Sequence, residues 1–125
     1  MLHEVPIVRQ IPGESRRRWF TDSDMDLTVW LDNRGRINGF QLCYDKSRLE
    51  RALTWTLTSG FTHQRVDDGE GRPGRYKGTP ILIADGAFDP STVSRQFTEQ
   101  STDIDNSVSS FVHQKLMEYG SAHHT

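Results

Sequence analysis

The residue group with the greatest potential for chemistry is a histidine followed by three carboxylates: His63, Asp67, Asp68 and Glu70. A carboxylate that hydrogen-bonds a histidine can orient it as a general base near neutral pH. Together with Asp85, the same group could ligate a divalent metal ion. The pattern is also typical of a surface histidine on a strand followed by an acidic turn, so both interpretations stay open.

A second acidic group alternates with other residues where a strand is predicted to begin. It consists of Asp22, Asp24 and Asp26. Carboxylate oxygens are preferred ligands of Ca²⁺ and Mg²⁺, and this spacing resembles the first half of an EF-hand loop. That loop also needs a glycine and a closing glutamate, but Leu27 and Asn33 occupy those positions. A metal site here is therefore a hypothesis beside the simpler interpretation of solvated side chains.

Three consecutive arginines precede a tryptophan near the start of the chain: Arg16, Arg17, Arg18 and Trp19. Cations beside an aromatic ring can bind single-stranded nucleic acid through phosphate attraction and base stacking. The net charge of -2 provides no overall field that would attract an anionic polymer. Alternation along a strand would also separate Arg17 from the other two arginines. Nucleic-acid binding is therefore only a second alternative.

A β-hairpin from about residue 25 to residue 44 is the clearest structural element. Apolar residues alternate in both predicted strands, and the turn between them lies at Asp32 to Gly35. We predict a four-residue loop with Leu27 opposite Phe40, because this register places both apolar rows on one face. The predicted apolar rows are Met25, Leu27, Val29 and Leu31 in the first strand, and Phe40, Leu42 and Tyr44 in the second.

The opposite face of the hairpin is predicted to carry Trp30, Ile37 and Cys43. An exposed aromatic residue on that face would mark a ligand cleft or a partner surface. We therefore predict a binding surface that is formed by Trp19, Trp30, Ile37 and Trp55. Cys43 has no histidine adjacent to it in sequence and is expected to be a buried, unreactive thiol.

The remaining elements complete an α+β chain, because the predicted strands precede the predicted helices. Residues 47–52 favour a helical turn, which a strand follows to about residue 58, although the whole segment has both helical and strand periodicity. Further strands are predicted at 61–66 and 81–84, and helices at 90–100 and from about 105 to Gly120. The predicted fold is a curved antiparallel sheet of four to five strands packed by two C-terminal helices.

The length of 125 residues favours a single domain, with residues 1–16 as an extended arm or loop and 121–125 as a loose tail. One cysteine and the lack of an apolar leader favour a cytoplasmic location, and no stretch is long enough to span a membrane. No catalytic signature is present. The leading expectation is a small soluble binding or interaction domain, and the alternative is a metal-dependent or acid/base enzyme centred on His63. Ligand, cofactor and oligomeric state stay open.

Overall fold

Helix and strand boundaries follow the hydrophobic patterns of the sequence and give an α+β architecture. The computed structural model describes residues 1–46, 50–67, 81–84 and 90–122. Within these ranges, no helix is both long and apolar enough to cross a membrane. The strands are β1 (His3–Glu4), β2 (Arg16–Thr21), β3 (Asp26–Leu31), β4 (Ile37–Tyr44), β5 (Arg51–Thr56), β6 (Gly60–Asp67) and β7 (Ile81–Ala84), and the helices are α1 (Pro90–Gln100) and α2 (Asn106–Ala122).

Among the described residues, seven strands form one antiparallel sheet in which each strand pairs with the next along the chain. The α+β class is therefore confirmed, whereas the predicted number of four to five strands was too low. Part of the difference arises in the expected arm of residues 1–16, because His3 and Glu4 pair with Thr21 and Phe20 as a short edge strand. The expected tail also begins later, since α2 continues to Ala122.

The two faces of the sheet differ in what covers them. Both helices contribute to the core on one face, which we call the inner face; there the Trp55 ring lies 5.4 Å from Phe111, and the Phe61 ring lies 5.1 Å from Tyr119. We call the opposite side the outer face. Removal of apolar side chains from water is the main force that holds the layers together. The buried core contains Leu2, Phe20, Met25, Leu27, Val29, Phe40, Leu42, Tyr44, Leu53, Trp55, Val93, Phe97, Ile104, Val108, Val112, Leu116 and Tyr119.

The hairpin turn between β3 and β4 contains three residues between a paired Asp32 and Arg36, rather than the predicted four-residue loop. The Asp32 N–H donates to the Arg36 carbonyl at 2.8 Å, and the Gly35 N–H donates to the Asp32 carbonyl at 3.0 Å. Gly35 has a φ of 80°, which glycine adopts without the clash that a Cβ would cause. This is the geometry of a type I turn followed by a glycine bulge.

A second bulge then restores the apolar faces. The turn places Leu31 opposite Ile37, and continuing that register would have sent the apolar residues of β3 and β4 to opposite faces. The register shifts between Trp30 and Leu31, so that Trp30 faces Gly39 and Asn38 is the additional residue. The predicted pairs were therefore wrong by two residues, while the residues predicted for the buried face do lie on it.

Two residues predicted for a binding surface belong to the inner side instead. Ile37 precedes the bulge, so it shares a face with Leu31 and packs against the core. Trp55 pairs with Phe40 across β4 and β5, and its side chain is only 9% exposed. The predicted helical turn at 47–52 is also corrected in part, because β5 begins at Arg51; residues 47–49 lie outside the described ranges.

Besides the pairing of β1, further hydrogen bonds connect the N-terminal segment to the rest of the chain. Leu2 is fully buried, and its N–H donates to the carbonyl of Gln100 at the end of α1. Further along, the side-chain amide of Gln10 accepts from the Arg17 N–H at 2.9 Å and donates to the Arg17 carbonyl at 3.0 Å. Beyond the end of β1, the Gln10 amide therefore forms the hydrogen bonds to the β2 backbone that a paired strand would form.

Helix α2 begins at an ion-pair network that links it to the sheet. The Asp105 carboxylate accepts from the N–H and the hydroxyl of Ser107, which is a helix N-cap arrangement. The Arg18 guanidinium donates to Asp105 at 3.2 Å and to both carboxylate oxygens of Glu4 at 2.8 Å. The Ser107 donors, followed by Arg18, hold the pKa of the Asp105 carboxyl below its usual value.

Replacement of Asp105 tests this N-cap. Asp105→Ala is expected to lower the free energy of unfolding by about 1 kcal/mol at neutral pH, as loss of a helix cap typically does. Asp105→Asn keeps the cap acceptor but loses the charge beside Arg18, so a smaller loss is expected. Because folding lowers the pKa of Asp105, the contribution of the charge is present above the unfolded pKa of about 3.9 and disappears as the pH falls through the folded value.

Urea denaturation of the wild type and both variants, at neutral pH and at about pH 3, provides the measurement. The difference between wild type and Asp105→Asn should shrink in acid. An equal difference at both pH values, or an unchanged stability of Asp105→Ala, contradicts the assignment.

Candidate functional site

A groove of about 580 Å³ lies on the outer face, across strands β2 to β5 near the ends that adjoin the β3–β4 turn. Residues from four strands and two turns contribute to it, and we call it the Trp30 groove. Its volume falls within the range of about 300 to 1,000 Å³ that is typical of small-molecule sites. The lining residues are Gly13, Glu14, Ser15, Arg17, Trp30, Asn38, Gly39, Thr56, Leu57 and Thr58.

The middle of the groove is an aromatic ring that lies against a glycine. Trp30 and Gly39 are cross-strand partners in β3 and β4. A Cβ built on Gly39 would lie 3.1 Å from Cε3 of Trp30 and 3.0 Å from the Trp55 carbonyl oxygen, so any larger residue would displace the ring or the strand. The absence of a side chain at Gly39 therefore allows the indole ring to approach the backbone closely.

Arg17 stands beside this ring in the same cross-strand row, directly opposite Trp30. One terminal nitrogen of its guanidinium donates to the Arg9 carbonyl at 2.5 Å. Its Nε is buried and has no hydrogen-bond partner among the described residues. A buried donor on a charged group without an acceptor costs about 1–3 kcal/mol or more, and such groups in native proteins call for a specific explanation.

The rim of the groove is polar and is built by the bulge in β4. The side-chain amide of Asn38 donates to the Ser15 hydroxyl at 3.2 Å, which connects the 13–15 turn to the sheet. The Asn38 carbonyl accepts from the Leu57 N–H at 2.9 Å, which holds the turn after β5 against the same point. The Leu57 side chain is 73% exposed. The groove thus combines an aromatic surface, hydroxyl and amide groups, one guanidinium and the Glu14 carboxylate.

His63, the principal candidate for a catalytic base, is on the inner side of β6 opposite Leu53 and is only 7% exposed. Its Nε2 shares a hydrogen bond of 2.5 Å with the Tyr44 hydroxyl. The Tyr44 and Tyr119 rings lie 5.9 Å and 6.2 Å from the imidazole. The histidine is therefore a buried polar residue within an aromatic cluster rather than the solvated side chain of the simpler interpretation.

Of the carboxylates predicted as partners of His63, only Asp67 lies within the described residues. Asp67 is four residues further along β6, which corresponds to about 13 Å at the usual rise per residue. Asp68, Glu70 and Asp85 lie outside the described residues. Within the described residues, the structure shows His63 hydrogen-bonded to Tyr44 and does not test its predicted pairing with Asp68 or Glu70.

The acidic group at the start of β3 has local partners instead of a common centre. One Asp22 oxygen accepts from the N–H groups of Asp24 and Met25 at 2.7 Å, and the other lies 3.5 Å from the N-terminal ammonium. The Asp26 carboxylate forms an ion pair of 3.1 Å with Lys46. In the described ranges, no three metal-ligating side chains converge as a metal site would require.

The three consecutive arginines are divided between the two faces, as the alternation predicted. Arg16 and Arg18 pair opposite Leu31 and Val29 on the inner side, whereas Arg17 and Trp19 lie on the outer face. Because Arg18 is engaged by Glu4 and Asp105, the four residues do not form one basic and aromatic patch for nucleic acid. Trp19 is 39% exposed and stands outside the lining of the Trp30 groove.

Cys43 lies on the outer face opposite Ala52 and Asp26. Burial, followed by the nearby charges of Glu50 and Asp26, raises the pKa of its thiol to about 12. A thiol with this pKa is almost entirely protonated at neutral pH, and the thiolate is the nucleophilic form. The raised pKa agrees with the expectation of an unreactive cysteine.

Sequence reasoning placed Trp30 on the outer face but missed most of the groove around it. The sequence pattern indicated only nucleic-acid binding for Arg17, and it indicated no site role for Ser15, Asn38, Gly39 or Thr56. These residues are separated along the chain and meet only through the register of four strands. The signal that was available is Gly39, because a glycine inside a strand often marks a bulge or a close approach.

No protein-family model matches the chain, and no curated protein or solved structure matches it either. Function is therefore inferred from the geometry of the side chains.

Removal of the Tyr44 hydroxyl tests whether the buried pair stabilises the fold. Tyr44→Phe is expected to lower the free energy of unfolding by about 1–2 kcal/mol, because it leaves a buried imidazole nitrogen without this partner. The double variant with His63→Phe should lose less than the sum of the two single changes, because both polar groups are then absent. Denaturant unfolding of all four proteins measures the coupling.

His113→Phe, at an exposed histidine, is the control, and it is expected to change the free energy of unfolding by about 0.5 kcal/mol or less. Strictly additive losses at Tyr44 and His63 would show that the hydrogen bond contributes nothing.

Proposed function

We propose that this protein is a small-ligand-binding domain and that the Trp30 groove is its binding site. The observation that carries the proposal is the indole ring of Trp30, which lies on Gly39 in a groove with a polar rim. Binding sites commonly combine an apolar or aromatic surface with a few placed polar groups that orient the ligand.

The position of the groove on the outer face supports this proposal. The inner face is occupied by the core and both helices, so its aromatic residues are explained by packing. Trp30 is only half-buried and is outside the core cluster. Its ring is therefore available for contact with a flat ligand, for which the offset stacking of rings is favourable.

Preorganisation of the rim is a second argument. Asn38 and Ser15 are hydrogen-bonded to each other, and the guanidinium of Arg17 is held by the Arg9 carbonyl. Gln10 fixes the backbone of Arg17 through two further hydrogen bonds. Side chains that are already ordered lose less conformational entropy when a ligand binds, which increases the affinity that a small contact area can provide.

Catalysis at His63 is supported less well. A general base must come within hydrogen-bond reach of its substrate, either directly or through one water molecule. His63 is buried, and its Nε2 already interacts with the Tyr44 hydroxyl. A substrate would therefore have to displace Tyr44 from the aromatic cluster before proton transfer.

The proposal is tested by a screen of ring-containing fragments against the isotope-labelled protein. We expect fragments that bind to shift the indole N–H resonance of Trp30. Trp30→Ala should lower their affinity by about tenfold or more, because the stacked ring is lost. Trp30→Phe keeps an aromatic surface and should give an intermediate affinity, which separates loss of contact from loss of folding.

Trp19→Ala is the matched control, because Trp19 is on the same face but outside the groove. It should leave fragment affinity unchanged. If fragments leave the Trp30 resonance in place, or bind Trp30→Ala as tightly as the wild type, the groove is not the binding site.

A further inference from the structure

The chemical class of the ligand follows from the residue beside the ring. Arg17 and Trp30 are direct cross-strand partners, so their Cβ atoms are about 4.5–5.5 Å apart. Both line the same groove. A ligand that stacks on the indole ring therefore places its substituents within reach of the guanidinium.

The guanidinium of Arg17 has only part of its hydrogen-bonding capacity satisfied. One terminal nitrogen donates to the Arg9 carbonyl, which is neutral, and Nε has no acceptor among the described residues. The only carboxylate in the lining of the groove is that of Glu14, and no ion pair joins it to Arg17 in the described part of the chain. The positive charge of Arg17 is therefore not neutralised by a carboxylate of the described chain.

Arginine differs from lysine in the shape of what it recognises. Its planar guanidinium presents parallel N–H donors that match the two oxygens of a carboxylate, and hydrogen bonds to a charged acceptor are about twice as strong as neutral ones. The contact with the Arg9 carbonyl holds this plane in one orientation. Asn38, Ser15 and Thr56 add neutral polar groups around the ring.

We infer that the ligand of the Trp30 groove is a small cyclic carboxylic acid, whose ring stacks on Trp30 and whose carboxylate accepts hydrogen bonds from the guanidinium of Arg17. This inference rests on the proposed function of the groove. It goes further because it assigns the charge and the planar geometry of the ligand group, and it gives Arg17 a role in specificity.

Benzoate and benzamide are suitable probes, because they have the same ring and nearly the same shape but differ in charge. Each is titrated into the isotope-labelled full chain while the indole N–H of Trp30 and the Nε–H of Arg17 are followed by NMR. We expect benzoate to bind about tenfold more tightly than benzamide, as a charge-assisted hydrogen bond allows. Benzoate should also shift the Arg17 Nε–H resonance.

Matched arginine variants separate the local contact from general electrostatic attraction. Arg17→Gln should remove the preference for benzoate, because benzoate loses a charge-assisted hydrogen bond and benzamide only a neutral one. Arg16→Gln changes the net charge equally but alters a residue on the other face, so the preference should persist. Arg17→Lys keeps the charge without the planar donors and should lose most of the preference. Thermal unfolding of each variant verifies that it is folded.

The outcomes distinguish this inference from the proposed function. Equal binding of benzoate and benzamide with a shifted Trp30 resonance would overturn the carboxylate assignment while the groove remained a binding site. Tighter binding of phenyl phosphate than of benzoate would overturn it as well, in favour of a phosphorylated ligand. If none of the three compounds shifts the Trp30 resonance, both the inference and the proposed function fail.

Discussion

The pairing of β3 with β4 is the constraint on which the two faces of the sheet depend. In a strand, successive side chains point to opposite faces, so an odd change of register exchanges the buried and exposed sets. The glycine turn at Gly35 introduces one such change, and the additional residue Asn38 introduces a second that cancels it. Leu27 and Val29 consequently face Leu42 and Phe40 on the inner side.

The same bulge also shapes the outer face. It brings Trp30 opposite Gly39, where the lack of a Cβ allows the indole ring to approach the strand. It also places the Asn38 amide next to Ser15, which connects the N-terminal segment to the rim of the groove. Bulges often redirect side chains near functional sites, and here one bulge supports both the core and the proposed site.

Much of the fold could be predicted from the sequence because hydrophobic period and capping residues are local signals. Alternation identified β3 and β4, and helical periodicity identified α2, which was predicted from about residue 105 to Gly120. The residues predicted for the buried face of the hairpin also lie there, and Ile37 joins them. The strand count was too low in part because β1 has only two residues, and such a short edge strand leaves no periodic signal.

The site was less predictable, because its residues come together only through long-range pairing. Trp30 was placed on the correct face by alternation, whereas Ile37 and Trp55 were wrongly expected there. Ile37 precedes a bulge whose sequence signal is the single glycine Gly39, and Trp55 lies in a segment whose helical and strand periods overlapped. The role proposed for Arg17 depends on contacts with Arg9 and Trp30 that no local pattern specifies.

The most direct test of the Trp30 groove is a crystal structure of the protein grown or soaked with benzoate. We expect the benzoate ring to stack on Trp30 and its carboxylate to lie within hydrogen-bond distance of the Arg17 guanidinium. The assignment would be contradicted if the chain's own side chains fill the groove. It would also be contradicted if a protein acceptor is hydrogen-bonded to the Arg17 guanidinium in place of benzoate.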